Sequence, residues 1–263
     1  RDTIDIGRFD AGNKTATVTF YGDDRFADKS VETSFSVSST ISAADIKRGW
    51  MSPYDFTAQF FDENMKPLNA SEVVFCINGK NYTAKTDENG IAYLTDSKLP
   101  VGVYNVTAVN TKTGESAVAT ATIVKRIIED RDWTIDFVDG TYYRVRAVGD
   151  DGNPEVRGKI VYITANTVKY DCPTDKDGYA YLRINLNPRN YKVTSPYKGY
   201  KVSNKVVVKQ TLKLVKKNIK VKKSAKKLVI KATLKTSKGK AIAGKKVTFI
   251  FKGKHYKAKT NNL

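Results

Sequence analysis

The sequence is poor in the side chains on which most catalysis rests. It holds one histidine and two cysteines among 263 residues. The histidine, His255, falls at an outward position of an alternating stretch with no motif around it, so neither a nucleophile–base pair nor a catalytic metal cluster is expected. Cys76 and Cys172 take non-equivalent positions in different repeats, and their spacing fits neither a disulfide nor a zinc cluster; both read as packing or surface thiols. No stretch approaches the ~20 consecutive apolar residues of a membrane helix, and no basic start followed by an apolar core marks a signal peptide. Membrane insertion within this chain is therefore not expected. Acidic residues are missing from one region only: residues 201–263 hold 21 lysines and no Asp or Glu, against 14 basic and 16 acidic side chains in 1–126 and 11 of each in 127–200. The whole net charge of +19 therefore sits in the last quarter.

What is present is strand chemistry. Val, Ile, Thr, Tyr and Phe recur in short runs broken by Gly, Asn and Asp, and 40% apolar with 11% aromatic residues suffices for packed cores. Self-similarity organises these runs. "DENMKPLNASEVVFCINGKNYTAKTDENGIAYL" aligns with "DDGNPEVRGKIVYITANTVKYDCPTDKDGYAYL" and with "SKGKAIAGKKVTFIFKGKHYKAKTNNL", anchored on Thr86, Thr174 and Thr260. Period-two alternation points Val73, Phe75 and Ile77, Val161, Ile163 and Ala165, and Val247, Phe249 and Phe251 inward, together with Tyr82, Tyr170 and Tyr256 on the following strand. Third strands follow, then "LPVGVYNVTAV" or "LNPRNYKVTSP", for about seven strands per repeat. The expected fold is all-β: tandem immunoglobulin-like β-sandwiches in a rod. The expected boundaries are 1–40, the last three strands of a repeat; 41–126 and 127–211, complete repeats with Tyr82, Tyr104, Tyr170 and Tyr191 buried; and 212–263, the first four strands of a lysine-rich repeat. The two terminal halves are read either as parts of a longer array or as halves that complete each other between copies, which gives head-to-tail self-association into a filament.

The succession of "DDGNP" turn, core strand, "TDxNG" turn and "LPxGxYxVTA" resembles the bacterial Ig-like repeats of invasin- and intimin-type adhesins. "YGDDRF" after a "TVTF" strand, and the lysine-rich "KVKKSAKKLVIKATLK", look like repeat arrays in adhesin-like surface proteins of methanogenic archaea. The resemblance covers nearly the whole chain and implies an extracellular, cell-surface or wall-associated, non-enzymatic adhesin or stalk without cofactor. The second repeat departs from the pattern, since "ITANTVKYDCPT" lacks the "NGK" turn.

Several residues are candidates for contact or modification. Acid pairs at Asp23–Asp24, Asp62–Glu63, Asp87–Glu88 and Asp150–Asp151, and Asp175 with Asp177, lie at expected turns and read as turn stabilisers; calcium is the alternative, most naturally at "IIEDRDW", Ile127 to Trp133. Asn13, Asn69, Asn81 and Asn105 begin Asn-Xaa-Ser/Thr triplets, which makes them glycosylation candidates. In "KKLVIKATLK" alternation makes the lysines the outer face of a strand, either a solvated edge or a polyanion contact with Lys222, Lys223, Lys227, Lys231, Lys235, Lys252 and Lys257. Nucleic acid is not the expected partner, because this segment has no arginine. The expected partners are a cell-wall polymer or a glycan or protein on a host or partner-cell surface.

Overall fold

Alternating branched and aromatic residues separated by Asp-Gly and Asn-Gly turns leave strand as the only regular structure the backbone can extend. The computed structural model describes residue 7 and residues 9–95, 99–137 and 140–262, and these contain strands but no α-helix. No helix among them is long and apolar enough to cross a membrane. The chain divides into two units, 1–124 and 125–263.

In the first unit β1 (Gly12–Phe20) and β2 (Lys29–Val37) form an antiparallel hairpin. Its turn is held by Asp23 Oδ1, which accepts from the amides of Arg25 and Phe26. A further expected strand, Asp2 to Asp10, falls mostly outside the described residues. β3 (Ile41–Ala43), β4 (Ile46–Gly49), β5 (Phe56–Phe60), β6 (Glu72–Ile77), β7 (Lys80–Lys85), β8 (Ile91–Leu94), β9 (Gly102–Val109) and β10 (Ser116–Val124) then build a sandwich. Its sheets run β3-β5-β8 and β4-β10-β9-β6-β7, with β4 parallel to β10.

The second unit repeats this plan. β11 (Ile127–Ile128), β12 (Trp133–Asp136), β13 (Tyr142–Ala147), β14 (Ile160–Ala165), β15 (Val168–Pro173), β16 (Tyr179–Arg183), β17 (Asn190–Tyr197) and β18 (Tyr200–Lys209) give sheets β11-β13-β16 and β12-β18-β17-β14-β15. Both sandwiches divide their first strand between the two sheets, an immunoglobulin-like arrangement. Two short antiparallel pairs follow, β19 (Leu212–Leu214) with β20 (Ala232–Leu234), and β21 (Lys246–Phe251) with β22 (Lys254–Lys259).

The repeat anchors prove to be fastenings. Thr86 Oγ1 accepts the amide of Ser71, Thr174 Oγ1 that of Lys159 and Thr260 Oγ1 that of Lys245, each within 3.0 Å. The same hydroxyls donate back to the carbonyls of Ser71, Val156 and Ile242. One threonine thus adds side-chain bonds to a loop that its own backbone amide and carbonyl already pair across. The turns use one device as well: the Oδ1 atoms of Asp62, Asp87 and Asp175 each accept two amides, two and four residues on. Gly90 ends such a turn at φ 76°, where a Cβ would lie 2.5 Å from the Phe60 carbonyl oxygen, so only glycine fits. Tyr104 and Tyr191 donate to the carbonyls of Pro100 and Asn187, four residues upstream, the tyrosine corner of this fold class.

The core faces of the two sandwiches follow the alternation. Val73, Phe75, Ile77, Val161, Ile163 and Ala165 are all buried, and Phe75 meets Phe56 and Phe60 edge-on at 5.7 and 6.0 Å. The third set departs from expectation. Val247 and Phe249 are only half-buried, while Phe251 and Tyr256 are exposed, because no described strand covers β21 and β22 as β9 and β17 cover their counterparts. Of the four tyrosines expected inside, only Tyr191 is fully buried; Tyr82, Tyr104 and Tyr170 are half-buried and packed against the cores. Tyr82 and Tyr170 stand on the edge strands β7 and β15, and the Tyr104 ring reaches outward to its corner bond.

Candidate interaction surfaces

The reactive side chains are scattered. His255 lies exposed on β22 opposite Ile250. Cys172 is buried and Cys76 sits on the outer side of β6, both as free thiols; burial, and then Asp171, push the Cys172 thiol up to about 11, so it is no nucleophile at neutral pH. Among the described residues no three His, Cys, Asp or Glu side chains meet as a metal site. The acids of Ile127 to Trp133 each have their own partner. Glu129 accepts from the Tyr179 hydroxyl and from Arg146, Asp130 from Asn204, and Asp132 from the amide of Lys205.

Nearby, protein cations neutralise the acids. Buried Arg126 donates to Asp150 at 2.6 Å, and Lys198 reaches both Asp150 at 2.7 Å and Glu155 at 3.2 Å. Glu155 also accepts from Tyr197. Burial by itself raises the Asp150 carboxyl, yet the bonds from Lys198 and Arg126 outweigh it and hold the group below its ordinary value.

The lysine candidates differ in setting. All seven are exposed, but the expected strand over Lys227 to Lys235 is reduced to Ala232–Leu234. Lys222, Lys223 and Lys227 lie outside any strand, Lys231 and Lys235 flank β20, Lys252 occupies the β21–β22 turn at φ 48°, and Lys257 stands on β22. Like charges this dense repel when drawn into one pleated face, and too little apolar surface is covered behind them to offset that cost. A groove of about 620 Å³ lined by Leu214, Leu228, Ile230, Phe249, Phe251 and Tyr256 opens within this segment.

All four sequon asparagines are exposed. Asn13 lies on β1 and Asn69 precedes β6. Asn81 pairs with Cys76 and Asn105 with Thr120, which places these two on the same outer face of the five-stranded sheet.

One surface escaped the sequence reading. On the outer side of β13 and β16, Tyr142 stands opposite Arg183, Arg144 opposite Tyr181 and Arg146 opposite Tyr179. Arginine and tyrosine thus alternate across the strands. The guanidinium groups of Arg144 and Arg146 lie 4.6 and 4.9 Å from the centre of the Tyr179 ring. Tyr181 neighbours Tyr142 at 6.2 Å and Tyr179 at 6.1 Å, and its hydroxyl donates to Asp175. "YYRVRA" and "YAYLR" each show the outward alternation; what the sequence withholds is that strands so far apart pair in this register.

No protein-family model and no curated protein matches the chain. Similar solved structures include a Ca2+-stabilized adhesin that helps an Antarctic bacterium reach out and bind ice, at 16% identity and TM-score 0.25 over 95% of this chain and 71% of that one. Invasin, a bacterial integrin-binding protein, is similar at 18% identity and TM-score 0.28 over 78% and 48%. A tandem of titin domains follows at 11% and 0.33 over 76% and 89%. The assignment of the fold rests on the sheet topology above.

Proposed function

We propose that the chain is a non-enzymatic segment of an extracellular, cell-surface adhesin or stalk, of the kind its motifs resemble in adhesin-like proteins of methanogenic archaea. The observation that carries this reading is the contrast between inside and outside. The same threonine fastening, aspartate turn and tyrosine corner recur, while the outer faces differ from repeat to repeat. Such a chain presents surfaces on a constant scaffold and holds no assembled catalytic group among its described residues. Its partners in this reading are a wall polymer or a glycan or protein on another cell, with the exposed lysines from Lys222 to Lys257 contacting acidic polymer and Asn13, Asn69, Asn81 and Asn105 open to glycosylation. Protease treatment of intact producing cells tests the proposal. Loss of the chain from unbroken cells supports it, and full protection until lysis overturns it.

A second reading is favoured by exposed apolar side chains in both units. Val18, Phe20 and Val31 on the β1–β2 hairpin, and Phe251 and Tyr256 by the groove near the end of the second unit, are open to solvent. The hairpin of one copy is proposed to cover the groove of the next, a head-to-tail contact between an acid-bearing and a lysine-rich surface. Sedimentation over a concentration series decides: growth of mass that Phe251→Asp abolishes supports the contact, and a constant monomer mass removes it.

A further inference from the structure

We infer that the arginine–tyrosine face of β13 and β16 is a binding surface for a carboxylate-bearing polysaccharide. This deepens the adhesive reading by naming a partner class, and it rests on that reading for its biological setting only. The sandwich topology does not itself require this face. In the first sandwich the equivalent outward pairs of β5 and β8 are Thr57 with Tyr93 and Gln59 with Ile91, without arginine, and the same topology forms. The topology alone therefore does not account for six bulky side chains in this pattern.

Their chemistry narrows what they would bind. Tyr142 and Tyr181 are 47% and 38% exposed, and the weakly positive C–H face of a sugar rests well on the negative face of an aromatic ring. Neighbouring ring centres lie 6.1 and 6.2 Å apart, with the planes of Tyr142 and Tyr181 at 89° and those of Tyr179 and Tyr181 at 42°, so each ring offers a stacking face of its own to a sugar rather than one shared platform. The anions on this face are already committed. Glu129 holds Tyr179 and Arg146, and Asp175 holds Tyr181 and two turn amides. Three guanidinium groups stand against these two carboxylates, so an incoming anion is favoured, and the planar fork of arginine matches a carboxylate bidentately. Stacking on Tyr179 pre-orders Arg144 and Arg146, which lowers the entropy lost on binding. Tyrosine and arginine also serve protein interfaces, so an acidic protein partner is the competing outcome that the polyglutamate arm of the test separates.

The test is titration of the full chain with oligogalacturonate, its neutral methyl ester, and a polyglutamate peptide of equal charge. Oligogalacturonate should bind more tightly than either control. Tyr181→Ala and Arg144→Gln should each weaken it about tenfold, the worth of one aromatic or ionic contact, whereas Lys85→Gln, on the exposed edge of the first sandwich, should leave it unchanged. Tyr142→Ala repeats the test at a more exposed ring, and thermal unfolding of each variant checks that the fold is kept. Absence of binding, unchanged affinity in the tyrosine variants, or equal affinity for polyglutamate overturns the proposal. None of these outcomes bears on whether the chain is displayed on cells, and protection from protease on intact cells would leave this binding result standing.

Discussion

The two sandwiches and the lysine-rich segment that follows them share one local grammar and reach different ends. Thr260 closes its loop as Thr86 and Thr174 do, and the bridge of Lys235 to Ala241 matches those of Phe61 to Pro67 and Val148 to Pro154. Phe249 nevertheless stays half-buried where Phe75 and Ile163 are wholly enclosed. Turn chemistry and hairpin register are thus local properties, written into a few residues and formed wherever those residues occur. Burial is not local. It requires the strands of an opposing and a neighbouring sheet, which surround β6 and β14 but not β21.

Core truncation gives the largest test of this contrast. Phe75→Ala removes a ring packed against Phe56 and Phe60 and should cost about 3–5 kcal/mol in the unfolding of the first unit; Phe249→Ala, at a ring that is only partly enclosed, should cost less, roughly 1–2 kcal/mol. Denaturant melts followed by unit-resolved hydrogen exchange measure both, and equal losses would mean that β21 is covered in solution. Next comes the threonine fastening. Thr86 and Thr174 are buried, so Thr86→Val and Thr174→Val leave the amides of Ser71 and Lys159 without an acceptor, a loss of about 1–3 kcal/mol each, whereas Thr260 is only half-buried, so water can take over its bonds and the loss should stay below about 1 kcal/mol. Smaller again is the tyrosine corner, where Tyr104→Phe and Tyr191→Phe should each cost about 1 kcal/mol. Unequal costs would break the equivalence of the two sandwiches at that corner.

Much of this was legible in the sequence because it is periodic or local. Alternation located Val73, Phe75 and Ile77 and their counterparts in the second repeat, and the recurring "TD" phrase located the threonines and the turn aspartates before their bonds were known. The failures share one cause. "KKLVIKATLK" alternates as well as any strand in the chain, yet only Ala232–Leu234 forms a strand, since alternation says which side faces inward and not whether anything lies there. The arginine–tyrosine face was missed for the complementary reason. It arises from the register of β13 on β16, two strands joined only after β14 and β15 have been made, and no single stretch contains it.

The last comparison, between the units, is drawn by pH. In the second unit the carboxyls of Asp150, Asp175 and Glu129 are held below their ordinary values; in the first, that of Glu115 is, through bonds from Ser39 and Thr40 that outweigh the effect of its burial. A depressed carboxyl contributes stability that is fully present above its unfolded value and is lost as pH falls through the folded one. Below the ordinary carboxylate values of 3.8 and 4.5 the second unit should therefore weaken more than the first. The alkaline side should agree. Burial raises the Tyr143 hydroxyl to about 12, and burial with the bond to Glu155 raises that of Tyr197, so both favour folding below pH 10 and lose that contribution as pH climbs toward 12. Unit-resolved hydrogen exchange from acid to alkali should show the second unit opening first at both extremes. If the first unit opens first in acid, the Arg126–Asp150–Lys198 network is not holding its sandwich together. Asp150→Asn sharpens the reading, because it should remove that residue's share of the acid response of the second unit, leaving the shares of Asp175 and Glu129 and the response of the first unit unchanged.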